Sequence, residues 1–144
     1  MFDLNFIKGK WNIVQSTDEY YLKEINRRLN INFKIKNSSI LEVRKLKKEK
    51  VRVYSKKYKN KNGILCFNRK FLFFKLPIKF CVIGYDENSE WLIIARINSI
   101  LNKLQIDVLS RGNQLNSNDI YIIRKKISSI DYTAGYLKYL KNVN

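Results

Sequence analysis

The sequence predicts a mainly β chain of many short strands. Three observations carry that expectation: abundant aromatic residues, a strict two-residue alternation near residue 30, and turn residues spaced about every ten positions. Nine Tyr, eight Phe and two Trp stand against one Pro and five Gly among 144 residues. Wide rings and β-branched chains pack well on a pleated surface. Hydrophobic residues make up 45%, enough for a packed interior. The length, with no linker or repeat, predicts one domain spanning residues 1–144.

Gly9-Lys10-Trp11 opens the first extended segment, which contains Ile13. The clearest rhythm follows, with Leu29, Ile31, Phe33 and Ile35 alternating with Asn30, Asn32, Lys34 and Lys36. A half-buried strand accounts for this period of two. Asn37, Ser38 and Ser39 supply a turn, and Ile40 to Arg44 is extended again. Val51 to Tyr54 is next, and Asn60, Asn62 and Gly63 punctuate the chain before Ile64 to Phe67. Asn68, Arg69 and Lys70 separate that segment from Phe71 to Phe74, which includes Phe73. Pro77 breaks the approach to Phe80–Ile83, which ends at Gly84; Asp86, Asn88 and Ser89 form a turn before Trp91 to Arg96. Such spacing fits a β-sandwich or an up-and-down barrel. From Ser99 to Arg111 the spacing changes: Ile100, Leu101, Leu104, Val108 and Leu109 suggest an amphipathic helix with Gly112 at its C-cap. Ile120 to Ile123 reads as one more strand, and Asp131 to Leu140 as a short helical tail.

This order, with the residues at its joints, resembles the lipocalin family of the calycin superfamily, nearest its bacterial, plant and apolipoprotein D-like members. The likeness rests on Gly9-Lys10-Trp11, on Phe80-Cys81-Val82-Ile83-Gly84 and on Trp91-Leu92-Ile93-Ile94-Ala95-Arg96. It spans roughly Gly9 to Arg124; Lys75-Leu76-Pro77 departs from the family pattern before the penultimate strand. The resemblance implies a single up-and-down antiparallel barrel of about eight strands. A C-terminal α-helix packs on its side, followed by one more strand and the helical tail. It also implies that Trp11 plugs the closed end beneath the guanidinium of Arg96, an arrangement suited to an arginine stacked on an indole.

An eight-stranded barrel has room for side chains or for one small ligand. The resemblance implies non-catalytic binding or transport of a small hydrophobic molecule: a fatty acid, lipid, retinoid or tetrapyrrole-like compound. The alternation offers Ile13, Ile31, Phe33, Ile35, Val53, Phe67, Phe71, Phe73, Leu92 and Ile94 as lining. A related alternative is a bilin lyase or chaperone that delivers a tetrapyrrole to a partner protein. A second is a basic nucleic-acid-binding barrel, suggested by a net charge of +17 and by Tyr54-Ser55-Lys56-Lys57-Tyr58. Too many strands and a late helix count against a five-stranded nucleic-acid barrel. The charge also fits a general compositional excess of lysine.

Arg44 to Lys61 holds ten Lys or Arg with only Glu49 opposing them. The expected placement is the rim or outer wall, where the run would steer an anionic ligand or touch anionic membrane lipid. Catalysis finds no support: there is no histidine, and Cys66 and Cys81 are too few for a four-ligand zinc site. No glycine-rich phosphate loop is present. No cofactor or metal is expected. Cys66 and Cys81 are expected as buried free thiols rather than a cross-strand disulfide. Met1 to Gly9 does not read as a signal peptide, and no run reaches the roughly 20 apolar residues of a transmembrane helix. An intracellular protein or a processed mature form is therefore expected.

Overall fold

The computed structural model describes residues 4–18, 30–36, 39–45, 49–59, 64–71 and 74–143. Eight antiparallel strands run in sequence: β1 (Gly9–Ser16), β2 (Asn30–Lys36), β3 (Ser39–Lys45), β4 (Glu49–Lys59), β5 (Leu65–Phe71), β6 (Phe74–Tyr85), β7 (Trp91–Asn98) and β8 (Lys103–Ser110). Each pairs with the next, and β1 pairs with both β2 and β8, so the sheet closes on itself. Gly9↔Phe33 and Trp11↔Ile31 join β1 to β2, while Asn12↔Ser110 and Ile13↔Leu109 join it to β8. Closure removes the exposed strand edges that invite aggregation. The expected barrel is what the chain forms.

After β8 come helix α1 (Ser117–Ser128), helix α2 (Asp131–Ala134), a 3-10 turn over Leu137–Tyr139 and strand β9 (Lys141–Asn142), which pairs with β1. Asn116 starts α1 because its side chain accepts a bond from the Asp119 amide at 2.7 Å. Asp119 lies in the first turn and Lys125 and Lys126 in the last, the signs the helix dipole favours. Ile123 and Ile127 face the barrel and are fully buried. No helix among the described residues is long and apolar enough to cross a membrane.

Two buried clusters sit on opposite sides of the same wall. The inner one gathers Ile7, Trp11, Phe33, Ile40, Phe67, Phe80, Leu92, Ile94 and their neighbours. The outer one joins Cys66, Cys81, Ile83, Ile93, Ala95, Ile106 and Val108 to the apolar face of α1. Strands β6 and β7 are thus buried on both faces, which is why their sequence is a nearly continuous apolar run. Gly84 lets α1 close in: a Cβ there would lie 3.2 Å from Lys126 Cγ and 3.0 Å from Ile93 Cδ1.

Several expectations are corrected. Residues 99–111 form no helix; 99–102 is a tight turn and 103–110 is β8. On β8 the outward residues Ile106 and Val108 are apolar, because they are buried in the outer cluster with residues of α1 and the C-terminal segment. The inward residues Gln105 and Asp107 are polar. The usual inside-outside contrast is inverted there, and the chance spacing of Ile100, Leu101, Leu104 and Val108 imitates a helix. Gly112 therefore caps no helix. Ile120–Ile123 lies inside α1, and the additional strand is β9 instead. The helical tail is present as α2 and the 3-10 turn.

Asn68, Arg69 and Lys70 do not interrupt β5, and Pro77 lies within β6. Register between these strands jumps from Asn68↔Lys79 to Lys70↔Lys75, and Pro77 falls inside that irregularity, where a missing amide hydrogen costs no ladder bond. Cys66 and Cys81 face each other across β5 and β6 and form a disulfide with Cα atoms 4.1 Å apart. They are not free thiols. The direct register pairing brings them together, a relation their spacing of 15 residues does not reveal. Leu29, Asn37, Ser38, Asn60, Asn62, Gly63 and Phe73 lie outside the described residues.

Candidate functional site

At the closed end, the indole of Trp11 is buried and donates from Nε1 to the Ile7 carbonyl at 2.7 Å. The guanidinium above it belongs to Arg111, just past β8, with Cζ 3.6 Å from the ring centroid. Its face meets the indole while its edge donates to the Lys8 and Lys10 carbonyls at 2.8 Å and to the Phe6 carbonyl at 3.1 Å. A planar fork that stacks and bonds at once is a property lysine lacks. Gly9, at φ +105°, lets the chain pass beneath: a Cβ there would lie 3.1 Å from Arg111 Nη1. The resemblance implies Arg96 over Trp11; the arginine that covers the indole is Arg111.

Arg96 sits elsewhere, inside the barrel. On β7 it follows Leu92 and Ile94 on the inward face, and its Cζ lies 5.4 Å from the centroid of Phe80. Nη1 and Nη2 donate to the Glu42 carboxylate at 3.0 and 2.7 Å, and Nε donates to Asp107 Oδ2 at 3.2 Å. The Tyr54 hydroxyl donates to Glu42 Oε2 at 3.0 Å, and Arg44 Nε to Glu42 Oε1 at 2.9 Å. Ser16 and Gln105 complete the Asp107 oxygens. Glu42, Tyr54 and Asp107 are wholly buried.

These contacts set the charges. Burial opposes the Arg96 cation, yet Glu42, Tyr54 and Asp107 outweigh it and hold its pKa above the ordinary arginine value. Arg44 moves the other way, pulled down by burial and by repulsion from Arg96. Burial, then the Glu42 carboxylate, pushes the Tyr54 phenol up, so it stays protonated and donating.

Beside this polar layer, aromatic rings pack around Phe80: Tyr54 at 4.7 Å, Phe33 at 5.8 Å and Phe67 at 6.3 Å between centroids. At the end of the barrel opposite Trp11 a cavity of about 380 Å³ opens, bordered by Arg52, Arg69, Arg96, Ile78, Asn98 and Gln105, with Thr17, Asp18, Lys103 and Leu104. Among the described residues, no carboxylate bonds to Arg52, Arg69 or Lys103. Burial, then repulsion from Arg52, lowers the Arg69 pKa.

Of the residues expected to line the interior, Ile13, Ile31, Phe33, Phe67, Leu92 and Ile94 belong to the inner cluster, with Ile35 packed partly buried against it. Val53 does not; it alternates with inward Tyr54 and so faces the outer side. The side chain of Phe71, like residue 73, lies outside the described residues. None of the described set borders the mouth cavity, whereas Arg96 does. The basic run is not simply an outer face either: Arg44 is buried against Glu42 and Arg52 borders the cavity. Glu42, Asp107, Arg69 and Arg111 are site residues that no local motif marks. The one legible signal was parity, since Ile40, Glu42 and Arg44 alternate on one face just as Leu92, Ile94 and Arg96 do.

An eight-stranded up-and-down barrel, plugged at one end by a tryptophan under an arginine and flanked by a helix after the last barrel strand, matches known structures. The fold is that of the lipocalins. A siderocalin, Ex-FABP, described as functioning through dual ligand specificities, aligns over 89% of this chain and 89% of its own, at 13% identity and a TM-score of 0.60. The bovine lipocalin allergen Bos d 2 aligns over 99% of this chain and 95% of its own, at 13% identity and a TM-score of 0.66. Insecticyanin from the tobacco hornworm Manduca sexta aligns over 99% of this chain and 80% of its own, at 11% identity and 0.61. No protein-family model and no curated protein sequence matches the chain. The lipocalin likeness is therefore one of fold.

Proposed function

We propose that this lipocalin-fold barrel binds and carries, without chemical change, a small hydrophobic molecule bearing an acidic group. The observation that carries the reading is the mouth cavity with its surplus of cations. Arg96 and Arg44 are committed to Glu42 and Asp107, whereas Arg52, Arg69 and Lys103 have no bonded carboxylate among the described residues. An acidic head group would sit among these cations, and its apolar body would rest on Ile78. The volume lies at the small end of the range for ligand pockets, roughly 300–1,000 Å³. A charge-assisted bond to a guanidinium in a half-buried site is worth more than one in water.

The same chemistry supports a non-catalytic role: the buried carboxylates Glu42 and Asp107 are bonded by arginine, tyrosine, serine and glutamine donors. The lipocalin fold, a barrel that commonly encloses one small ligand, supports this reading.

Calorimetric titration with laurate and with lauryl alcohol tests it, alongside native mass spectrometry of the purified protein for a retained small molecule. Laurate is expected to bind in the micromolar range and more tightly than the alcohol. Arg52→Met combined with Arg69→Met is expected to weaken laurate by roughly tenfold or more, leaving the alcohol unchanged. Absence of saturable binding by either compound, with no retained mass, overturns the carrier role. Equal binding of the two leaves a carrier without the acidic head group.

A further inference from the structure

We propose that the hairpin joining β7 to β8 seats the mouth of the barrel on an anionic lipid bilayer, with Ile100 and Leu101 entering the interface. The inference goes beyond ligand carriage and needs no occupant in the cavity. Ile100 is 76% exposed and Leu101 61% exposed, and they are adjacent at the tip of the turn. Large apolar side chains held this far out of the core lose nothing by leaving water, and two together form a wedge.

The turn is built rather than frayed. The Asn98 side-chain oxygen accepts from the Ile100 amide at 3.2 Å and from the Leu101 amide at 3.1 Å. Asn102 adopts φ 49°, a left-handed conformation that asparagine tolerates well. The Ser99 amide and hydroxyl both donate to the Pro77 carbonyl, at 3.0 and 3.2 Å, tying the turn to β6. The backbone is thus already ordered, so presenting the two side chains adds little entropic cost on docking.

Position and charge choose the partner. The residues flanking the tip, Asn98 and Lys103, border the cavity, so whatever the tip touches faces the mouth. Lys103 is exposed, Arg52 and Arg69 stand at the same mouth, and the chain carries +17. Two side chains fall far short of the roughly 800 Å² per partner that a specific protein interface buries. A bilayer needs only shallow apolar entry plus attraction of basic residues to acidic head groups. The same juxtaposition would let an acidic amphiphile pass between membrane and barrel.

Co-sedimentation with vesicles tests the inference, using equal parts phosphatidylcholine and phosphatidylglycerol against phosphatidylcholine alone. The protein is expected to bind the mixed vesicles and to leave the neutral ones in solution. Ile100→Ser with Leu101→Ser is expected to weaken binding roughly tenfold or more, with an unchanged melting temperature because both sites are solvent-exposed. In Leu101→Trp, the new indole emission is expected to shift to the blue on adding mixed vesicles. Wild-type protein that ignores the mixed vesicles overturns the proposal. So does a serine variant that binds as tightly as wild type, since charge alone would then suffice. Laurate titration of the same serine variant should match wild type, which separates this proposal from the carrier reading.

Discussion

Two arginines divide the barrel. Arg111, at the closed end, spends its face on Trp11 and its edge on backbone carbonyls, with the Glu90 charge acting on it only as a lesser influence than burial. Arg96, in the interior, is bonded to two buried carboxylates and a phenol. Burial lowers the Arg111 pKa, whereas the Arg96 value is raised despite greater burial. The difference teaches that a guanidinium can serve as a lid or as a core element. A lid can be lost with its neighbours still solvated. A core charge cannot, because its partners are stranded without water.

Arg96→Met should therefore be the most damaging change, costing about 3–5 kcal/mol by leaving the Glu42 and Asp107 carboxylates unpaired in the interior. Urea unfolding would measure it, and a loss under about 1 kcal/mol would show that water reaches both acids. Replacing the network together, Glu42→Leu, Arg44→Met, Tyr54→Phe, Arg96→Met and Asp107→Leu, should recover most of that loss, since apolar groups of similar size often substitute for a buried ion network. Failure to recover would assign the network a specific packing role. Arg111→Met should cost about 2 kcal/mol, from the lost stack and carbonyl bonds, and should increase Trp11 accessibility to acrylamide. A larger loss than for Arg96→Met would reverse the comparison.

The smallest effect concerns Tyr54. Its phenol is held above the ordinary value of 10.0 by burial and by Glu42. Above about pH 10 the unfolded chain releases this proton first, so the folded state binds more protons and the phenol's contribution to stability falls. Tyr54→Phe should cost about 1 kcal/mol near neutrality and remove this alkaline component. Urea midpoints of wild type and variant, compared at about pH 8 and about pH 11, should therefore converge. A constant gap between them would place the Tyr54 hydroxyl in contact with solvent.

The two walls of the barrel explain how much could be read in advance. In β2, Ile31 and Phe33 are buried while Asn30, Lys34 and Lys36 meet solvent, so the alternation is plain in the sequence. In β8 both faces are covered, and the inward face carries Gln105 and Asp107. Polar residues then point in and apolar ones out, and the strand reads as a helix. In helix α1 the reverse holds: its Ile120-Tyr121-Ile122-Ile123 run resembles a strand, and only the spacing of Ile123 and Ile127 marks one buried face.

The sequence alone determined the mainly β class of the fold, and the resemblance carried by Gly9-Lys10-Trp11 and the Phe80 and Trp91 segments implied the closed barrel and the indole at its plug. Local alternation, turn residues and a glycine before a tryptophan are properties of neighbouring residues, and they survive without three dimensions. Tertiary structure decided which arginine covers Trp11, that Cys66 meets Cys81, and that Glu42 and Asp107 converge on Arg96 from separate strands. Those pairings join residues far apart in the chain, and their partners are selected by strand register and barrel closure rather than by any local pattern.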